Sequence, residues 1–149
     1  MSHGLNVFPD DARHFRNSAD LRNISLQAPT PTNWDRTFAA KTGSSQGTTF
    51  LGWTELERYE PSNCAAQCSR IGGCQAINIY FERTPKFFLG QECQHAPSMS
   101  VIKCVFWGEK LYAENVTNYG HTEWEFDIAM AGSNGYNIEH PDKVSGASA

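Results

Sequence analysis

The sequence lacks the features that mark several large classes of protein. No apolar run approaches the roughly 18 residues that a membrane-spanning helix needs, and the mean hydropathy is negative. Basic residues are not in excess either, since 12 Lys and Arg stand against 16 Asp and Glu, for a net charge of −4. A nucleic-acid partner requires a basic surface. We therefore expect neither a membrane span nor a nucleic-acid partner.

Catalytic and metal-binding motifs are also missing. The chain contains no G-x-S-x-G, no glycine-rich phosphate loop, no H-E-x-x-H and no cysteine beside a plausible histidine base. Its five histidines are scattered, and none stands at ligand spacing from the cysteines, which argues against zinc. We expect no metal and no cofactor, and whether the protein catalyses a reaction stays open.

The length and the two ends predict a simple organisation. A chain of 149 residues without an internal repeat fits one domain. Its start, MSHGLNVFPDD, has no apolar segment of the signal-peptide kind, so we interpret the chain as a mature form. We predict an extended N-terminal arm over residues 1–35, with a short helix possible only around 10–16. A folded domain over 36–138 and a disordered tail over 139–149 follow.

What the sequence does contain is cysteine at structured spacing. Cys64 and Cys68 are four residues apart, which places both thiols on one face of a helix. Two glycines end that helix, Cys74 opens the next strand, and Cys104 lies within a later strand. The spacing predicts a short helix joined to a sheet by disulfides, but five cysteines leave the pairing open.

Two features predict that the protein is secreted or passes through the secretory pathway. Disulfides persist in oxidising compartments. Two glycosylation sequons also occur, at Asn23-Ile-Ser and at Asn115-Val-Thr. We expect glycans at Asn23 and Asn115, and we expect Asn115 to be exposed in the loop that follows the Cys104 strand.

Alternating residues predict the strands of an antiparallel sheet. In QAINIYFER the apolar Ile77, Ile79 and Phe81 share one face. In VIKCVFW, Cys104 shares a face with Phe106, and TEWEFDIAM alternates in the same manner. One helix packed on such a sheet predicts the α+β class. We expect Trp53 and Trp124, which alternate with apolar residues, to lie in the core.

The arrangement of these motifs resembles the apple, or PAN, domain. That family has a cysteine pair on a helix, then C-x-A-[FI] and C-x-[LF]-W strands, matched here by Cys64 and Cys68, by Cys74 to Ile77 and by Cys104 to Trp107. The segments NIYFER, IKC-x-x-WG and AGSNGYN are similar to those of secreted fungal proteins with apple-like domains. The C-x-x-P-S element is one residue longer here, as CQHAPS. The resemblance covers roughly residues 37–137.

The resemblance implies a disulfide pattern and a class of function. Applied residue by residue, it implies the pairs Cys64–Cys104 and Cys68–Cys74, with no partner assigned to Cys93. Apple domains are mostly known as modules that bind protein or carbohydrate, so the resemblance implies a secreted binding module. Fold alone is only an associational argument for function.

A candidate ligand surface follows from strand parity. If Cys104 points toward the helix, the opposite face carries Asn78, Tyr80, Glu82 and Trp107. We expect this aromatic and polar set to lie on the outside and to contact the ligand, together with Arg83 and His121 at its edges.

Two functions remain open from the sequence. The first is a secreted module that recognises a carbohydrate or a protein. The second is a small enzyme of the cyclase or isomerase type that shapes a hydrophobic fungal metabolite in an aromatic pocket. A deep pocket lined by tryptophan and phenylalanine would favour the enzyme, and a shallow aromatic and polar face would favour the module. The oligomeric state stays open.

Overall fold

An antiparallel sheet organises the chain. The computed structural model describes residues 7–85, 98–123 and 126–139. The strands are β1 (Trp34–Lys41), β2 (Ser44–Ser45), β3 (Phe50–Leu56), β4 (Ala76–Pro85), β5 (Ser98–Trp107), β6 (Val116–Asn118), β7 (His121–Glu123) and β8 (Phe126–Ile138). The main sheet has the order β1-β8-β4-β5-β3, with β7 paired to β8, and β2 and β6 form a separate two-stranded ribbon. The predicted α+β class with an antiparallel sheet is confirmed.

The disulfide-linked helix lies where the cysteine spacing predicts it. Helix α3 (Pro61–Ser69) begins with proline in its first turn and buries Cys64, Ala65 and Cys68. Its buried face packs against the apolar face of β4 and β5, which carries Ile77, Ile79, Phe81, Cys104 and Phe106. We call this side of the sheet the helix face.

Both predicted disulfides are confirmed. Cys64 joins Cys104 with a Cα–Cα distance of 5.6 Å, and Cys68 joins Cys74 with a Cα–Cα distance of 5.5 Å. The first bond spans 40 residues and the second spans 6. In the chain-entropy model these spans correspond to about 4 and about 2 kcal/mol of stabilisation. The bond between α3 and β5 is therefore the stronger constraint, and both suit an oxidising environment.

The prediction of an extended N-terminal arm is wrong. Residues 7–35 contain the anticipated short helix, α1 (Ala12–Arg16), and a second helix that was not predicted, α2 (Ala19–Gln27). The side chain of Ser18 caps α2 by accepting a hydrogen bond from the Leu21 N–H. Phe15 and Leu21 are buried in the core of the helix face. The arm is an integral part of the domain because these two side chains insert into that core.

The opposite face of the sheet is also covered, so the expectation that it lies outside is wrong. This second face carries Asn78, Tyr80, Glu82 and Trp107, as parity predicts, but all four residues are buried. The β2–β6 ribbon and residues 108–116 lie over it and supply apolar cover. The second core comprises Phe38, Ala76, Tyr80, Val105, Trp107, Leu111, Val116 and Met130.

Trp53 departs from the sequence prediction in the other direction. We expected a core residue, but its side chain is 48 % exposed. The reason is that β3 is an edge strand with an irregular register at Gly52, beyond the reach of the cover. Trp124, Cys93 and the tail from 140 onward lie outside the described residues. No described helix is long and apolar enough to cross a membrane.

Candidate functional site

The open part of the second face lies along its β3 edge. In the register of β3 with β5, Trp53 stands opposite Val105 and Glu55 opposite Lys103. In the register of β4 with β5, Tyr80 stands opposite Lys103 and Glu82 opposite Val101. Cross-strand partners share a face. We call the surface formed by Trp53, Glu55, Tyr80, Glu82 and Lys103 the Trp53 face.

Lys103 holds the Trp53 face together. Its Nζ atom lies 4.4 Å from the centroid of the Trp53 ring and 2.9 Å from Oε1 of Glu82. The Lys103 side chain is 22 % exposed and that of Glu82 is 11 % exposed. A cation over an indole and a partly buried ion pair restrict the three side chains to one arrangement. The result is a half-exposed indole with one positive and one negative group beside it.

Tyr80 lies beneath this surface as a neutral phenol. Burial and the negative charge of Glu82 raise the pKa of Tyr80 well above its ordinary value, although a hydrogen bond with Ser44 acts in the opposite direction. A buried phenol with a raised pKa is a weak general acid at neutral pH, and its oxygen is already hydrogen-bonded. Tyr80 therefore supports the face rather than offering proton-transfer chemistry.

Asn78 is a structural residue. Its Oδ1 atom accepts hydrogen bonds from the backbone N–H and the hydroxyl of Ser45, at 2.8 and 3.1 Å. Its Nδ2 atom donates to the Ser133 hydroxyl and to the Asn134 carbonyl, both at 2.9 Å. These four bonds use the full capacity of an amide side chain. Asn78 joins the β2–β6 ribbon to the sheet and has no group left for a ligand.

Trp107 is part of the second core. Its ring meets that of Phe50 edge to face, with the centroids 5.6 Å apart. Its indole N–H is buried and finds no acceptor among the residues that the structure describes. Phe50 is 56 % exposed, whereas Trp107 is buried.

Arg83 fixes the N-terminal arm to the far end of β4. Its guanidinium group donates to the Asp10 carboxylate, with Nη2 at 3.2 Å from Oδ1, and to the Asp127 carbonyl. It also lies 4.3 Å from the centroid of the Phe126 ring. Burial would raise the pKa of Asp10, but hydrogen bonds from Ser98 and the charge of Arg83 lower it overall. Arg83 is thus committed to packing.

His121 lies apart from the other predicted ligand residues. It is exposed on β7, with Nε2 3.6 Å from Oε2 of Glu123. Within the described ranges the structure gives no contact between His121 and Arg83 or Trp107. The six residues proposed from the sequence therefore do not form one site. Of these, Tyr80 and Glu82 belong to the Trp53 face.

The two sequons differ in accessibility. Asn23 is exposed on α2, while the hydroxyl of Ser25, the third residue of its sequon, is buried and donates to the Arg22 carbonyl. Asn115 is half-buried rather than exposed. Its Oδ1 atom accepts from the Tyr112 N–H at 2.8 Å, because the side chain closes a short 3-10 turn at Ala113–Asn115. Glycosylation at either position stays a prediction.

Sequence reasoning missed Trp53, Glu55 and Lys103 as site residues. A signal existed for Lys103, which is the one charged residue in the otherwise apolar VIKCVFW. A lysine within a buried strand must reach solvent or a partner, and here it has both. No comparable signal existed for Trp53, because its exposure depends on the position of β3 at the sheet edge.

The site offers no evident place for a metal ion. In the part of the chain that the structure describes, no three His, Cys, Asp or Glu side chains converge in a way that would hold one.

Comparisons of the chain with protein families, with curated proteins and with solved structures gave no match.

Proposed function

We propose that this protein is a secreted binding module of the apple, or PAN, type, and that it recognises a carbohydrate through the Trp53 face. The proposal rests chiefly on one observation. An indole that is 48 % exposed is held in a fixed orientation by Lys103, which is itself fixed by Glu82. A half-exposed indole contributes less to folding stability than a buried one, and its fixed orientation lowers the entropy cost of binding a ligand.

The chemistry of the Trp53 face suits a sugar. The flat indole surface provides apolar contact for the C–H side of a sugar ring, and aromatic rings of this size contribute much of the energy of binding surfaces. Lys103 is a hydrogen-bond donor, and the exposed carboxylate of Glu55 is an acceptor, within the same face. A sugar presents both kinds of group around its ring. The mixture of charges also gives no strong preference for a highly charged protein partner.

An enzyme receives less support from the same residues. The side chains best suited to acid–base catalysis are each engaged by neighbouring side chains; they are Tyr80, Glu82 and Arg83. Two cavities beside the N-terminal helices have volumes of about 310 and 240 Å³, and neither is lined by tryptophan. A cyclase or isomerase would be favoured by a deep aromatic pocket, and neither of these two cavities is of that kind.

Ligand binding to purified protein tests this proposal. A set of soluble oligosaccharides would be screened by the shift in melting temperature, since a ligand that binds only the native state stabilises it. For any oligosaccharide that binds, Trp53→Ala should weaken binding by at least about 2 kcal/mol, roughly 30-fold, as for other central tryptophans. Folding should survive, because the side chain is half exposed.

Phe8→Ala provides the matched control. Phe8 is an exposed aromatic residue at 79 % beside the N-terminal helices, so its removal should leave sugar binding unchanged. If a Trp53→Ala variant bound the sugar as tightly as the natural chain, the Trp53 face would not be the site. If no oligosaccharide bound but a protein partner depended on Trp53, the carbohydrate assignment would be wrong.

A further inference from the structure

A cavity separate from the Trp53 face lies between the N-terminal helices and the sheet. It is a cavity of about 240 Å³, bounded by the end of α1, the start of α2, the end of β1 and the middle of β8. Its volume is just below the usual range for drug-sized ligands, about 300–1,000 Å³, which limits an occupant to a small molecule or a small group.

The charge around this cavity is of one sign. Arg16 and Arg22 contribute its charged lining, and no Asp or Glu takes part. Within the described ranges neither guanidinium has an ion pair or a hydrogen-bond partner. In contrast, Arg83 pairs with Asp10, and Arg36 donates to the Leu26 carbonyl. In a protein of net charge −4, two arginines at one cavity without a counter-charge form a local positive site.

Polar groups complete the lining. Asn17, Ser18 and Thr42 line the same cavity, and the Ser18 hydroxyl is engaged as the cap of α2. Ala40 forms part of the cavity wall, and its backbone N–H donates a hydrogen bond to Oδ1 of Asn134 at 2.9 Å. This bond fixes Ala40 in the left-handed backbone region, with φ 56°. Arg16 belongs to α1 and Arg22 to α2, so the two arginines of the lining are supported by different helices.

From this arrangement we propose that the cavity binds a small molecule through a phosphate or sulfate ester group. A guanidinium presents paired N–H donors whose spacing matches the oxygens of such groups, and two guanidiniums provide for three or more oxygens. The neighbouring hydroxyl of Thr42 and amide of Asn17 supply neutral hydrogen bonds to the rest of the molecule. This site is independent of the Trp53 face and uses none of its residues.

Inorganic phosphate and inorganic sulfate are the probes. Each is titrated into isotope-labelled protein at neutral pH, with sodium chloride adjusted to keep the ionic strength constant, and followed by heteronuclear NMR and by calorimetry. We expect saturable one-to-one binding, with the largest shifts at the backbone amides of Asn17, Arg22 and Thr42. The relative affinities of the two probes identify which ester the site prefers. Shifts that chloride alone reproduces, or a dicarboxylate that binds more tightly than both probes, would overturn the proposal.

Substitutions separate this site from general attraction of anions. Arg16→Gln and Arg22→Gln should each weaken phosphate or sulfate binding about tenfold, because each removes charge-assisted hydrogen bonds. Arg13→Gln removes the same charge from an exposed position of α1 without altering the cavity lining, so it should bind as the natural chain does. Equal weakening by Arg13→Gln, or unchanged binding in Arg22→Gln, would contradict the assignment.

The charge-conserving variants provide a further discrimination. Arg16→Lys and Arg22→Lys keep the positive charge and lose the fork, so binding should fall several-fold while the fold, followed by circular dichroism, stays intact. Full affinity in both lysine variants would reduce the site to a simple positive potential and would refute the specific claim of ester recognition.

Discussion

At the scale of single residues, Trp107 and Trp53 exchange the roles that alternation assigns to them. Both lie on the second face of the sheet. Trp107 stands at the end of β5 against Phe50, and it shares a buried core with Leu111 and Val116. Trp53 lies on the edge strand β3, and it is 48 % exposed. The exposure of each ring is set by the position of its strand in the sheet and by the segments that lie above it, and not by alternation along the strand.

The substitution Trp107→Ala should therefore destabilise the protein. Removing a buried indole leaves a cavity, and we expect the free energy of unfolding to fall by about 3–5 kcal/mol in denaturant titrations. Trp107→Phe should cost much less, since it keeps much of the apolar ring and removes a buried N–H that lacks an acceptor in the described structure. A Trp107→Ala variant as stable as the natural chain would show that this ring is not a core residue.

The sequence determined which residues share a face but not which face is covered. Alternation correctly grouped Asn78, Tyr80, Glu82 and Trp107, because strand parity is a local property. Their burial depends on Leu111 and Val116, which occur in a segment without regular periodicity. The contact between the sheet and this covering segment joins residues that are far apart in the sequence, and the sequences of the strands contain no signal that predicts it.

At the scale of secondary-structure elements, α2 is the feature that pattern reasoning missed. Its apolar face is narrow, with Leu21 fully buried and Ile24 partly buried. A sequence as polar as ADLRNISLQ does not show the wide apolar stripe that marks most packed helices. In contrast, α3 had strong local signals, namely proline at its start, two cysteines on one face and glycines after its end.

The contribution of α2 can be measured at two leucines of the same helix. Leu21→Ala should lower the free energy of unfolding by about 2–5 kcal/mol, because Leu21 is fully buried against the sheet. Leu26→Ala is the matched control, since Leu26 is 38 % exposed and its loss should cost less than about 1 kcal/mol. Equal effects of the two substitutions in denaturant titrations would indicate that α2 does not dock as the structure shows.

At the scale of the whole molecule, buried or partly buried phenols lie on both faces of the sheet. Tyr59 stacks on Phe81, with its hydroxyl donating to the Gly132 carbonyl at 2.6 Å. Tyr136 is fully buried in the same core, while Tyr80 lies on the second face. Burial raises the pKa of all three hydroxyls above the ordinary value of 10.0. The two cores therefore share one sensitivity to alkaline pH.

The direction of this sensitivity follows from proton linkage. The folded protein holds these phenolic protons more tightly than the unfolded chain, whose tyrosines begin to titrate near pH 10.0. The stabilisation is complete below that pH and is lost as the pH rises above it. We expect the free energy of unfolding to fall steeply above about pH 10, measured by denaturant titration with tyrosinate absorbance recorded in parallel.

A phenylalanine substitution assigns this effect. Tyr80→Phe removes one of the three hydroxyls with a raised pKa and should make the alkaline decline shallower. The exposed Tyr119 is the matched position, at 59 % exposure, and Tyr119→Phe should leave the decline as it is. Tyrosinate absorbance that appeared fully while the protein remained folded would contradict this account.

The position of β8 has a consequence for the synthesis of the protein. Among the described strands it is the last in the chain, yet it pairs with both β1 and β4 in the interior of the sheet, and α1 and α2 pack against it. A chain emerging from the ribosome therefore presents its first helices and its first strand long before their partner exists. Cys64 and Cys104 both precede β8 in the sequence. Oxidation can therefore join α3 to β5 before β8 has been synthesised and before the sheet is complete.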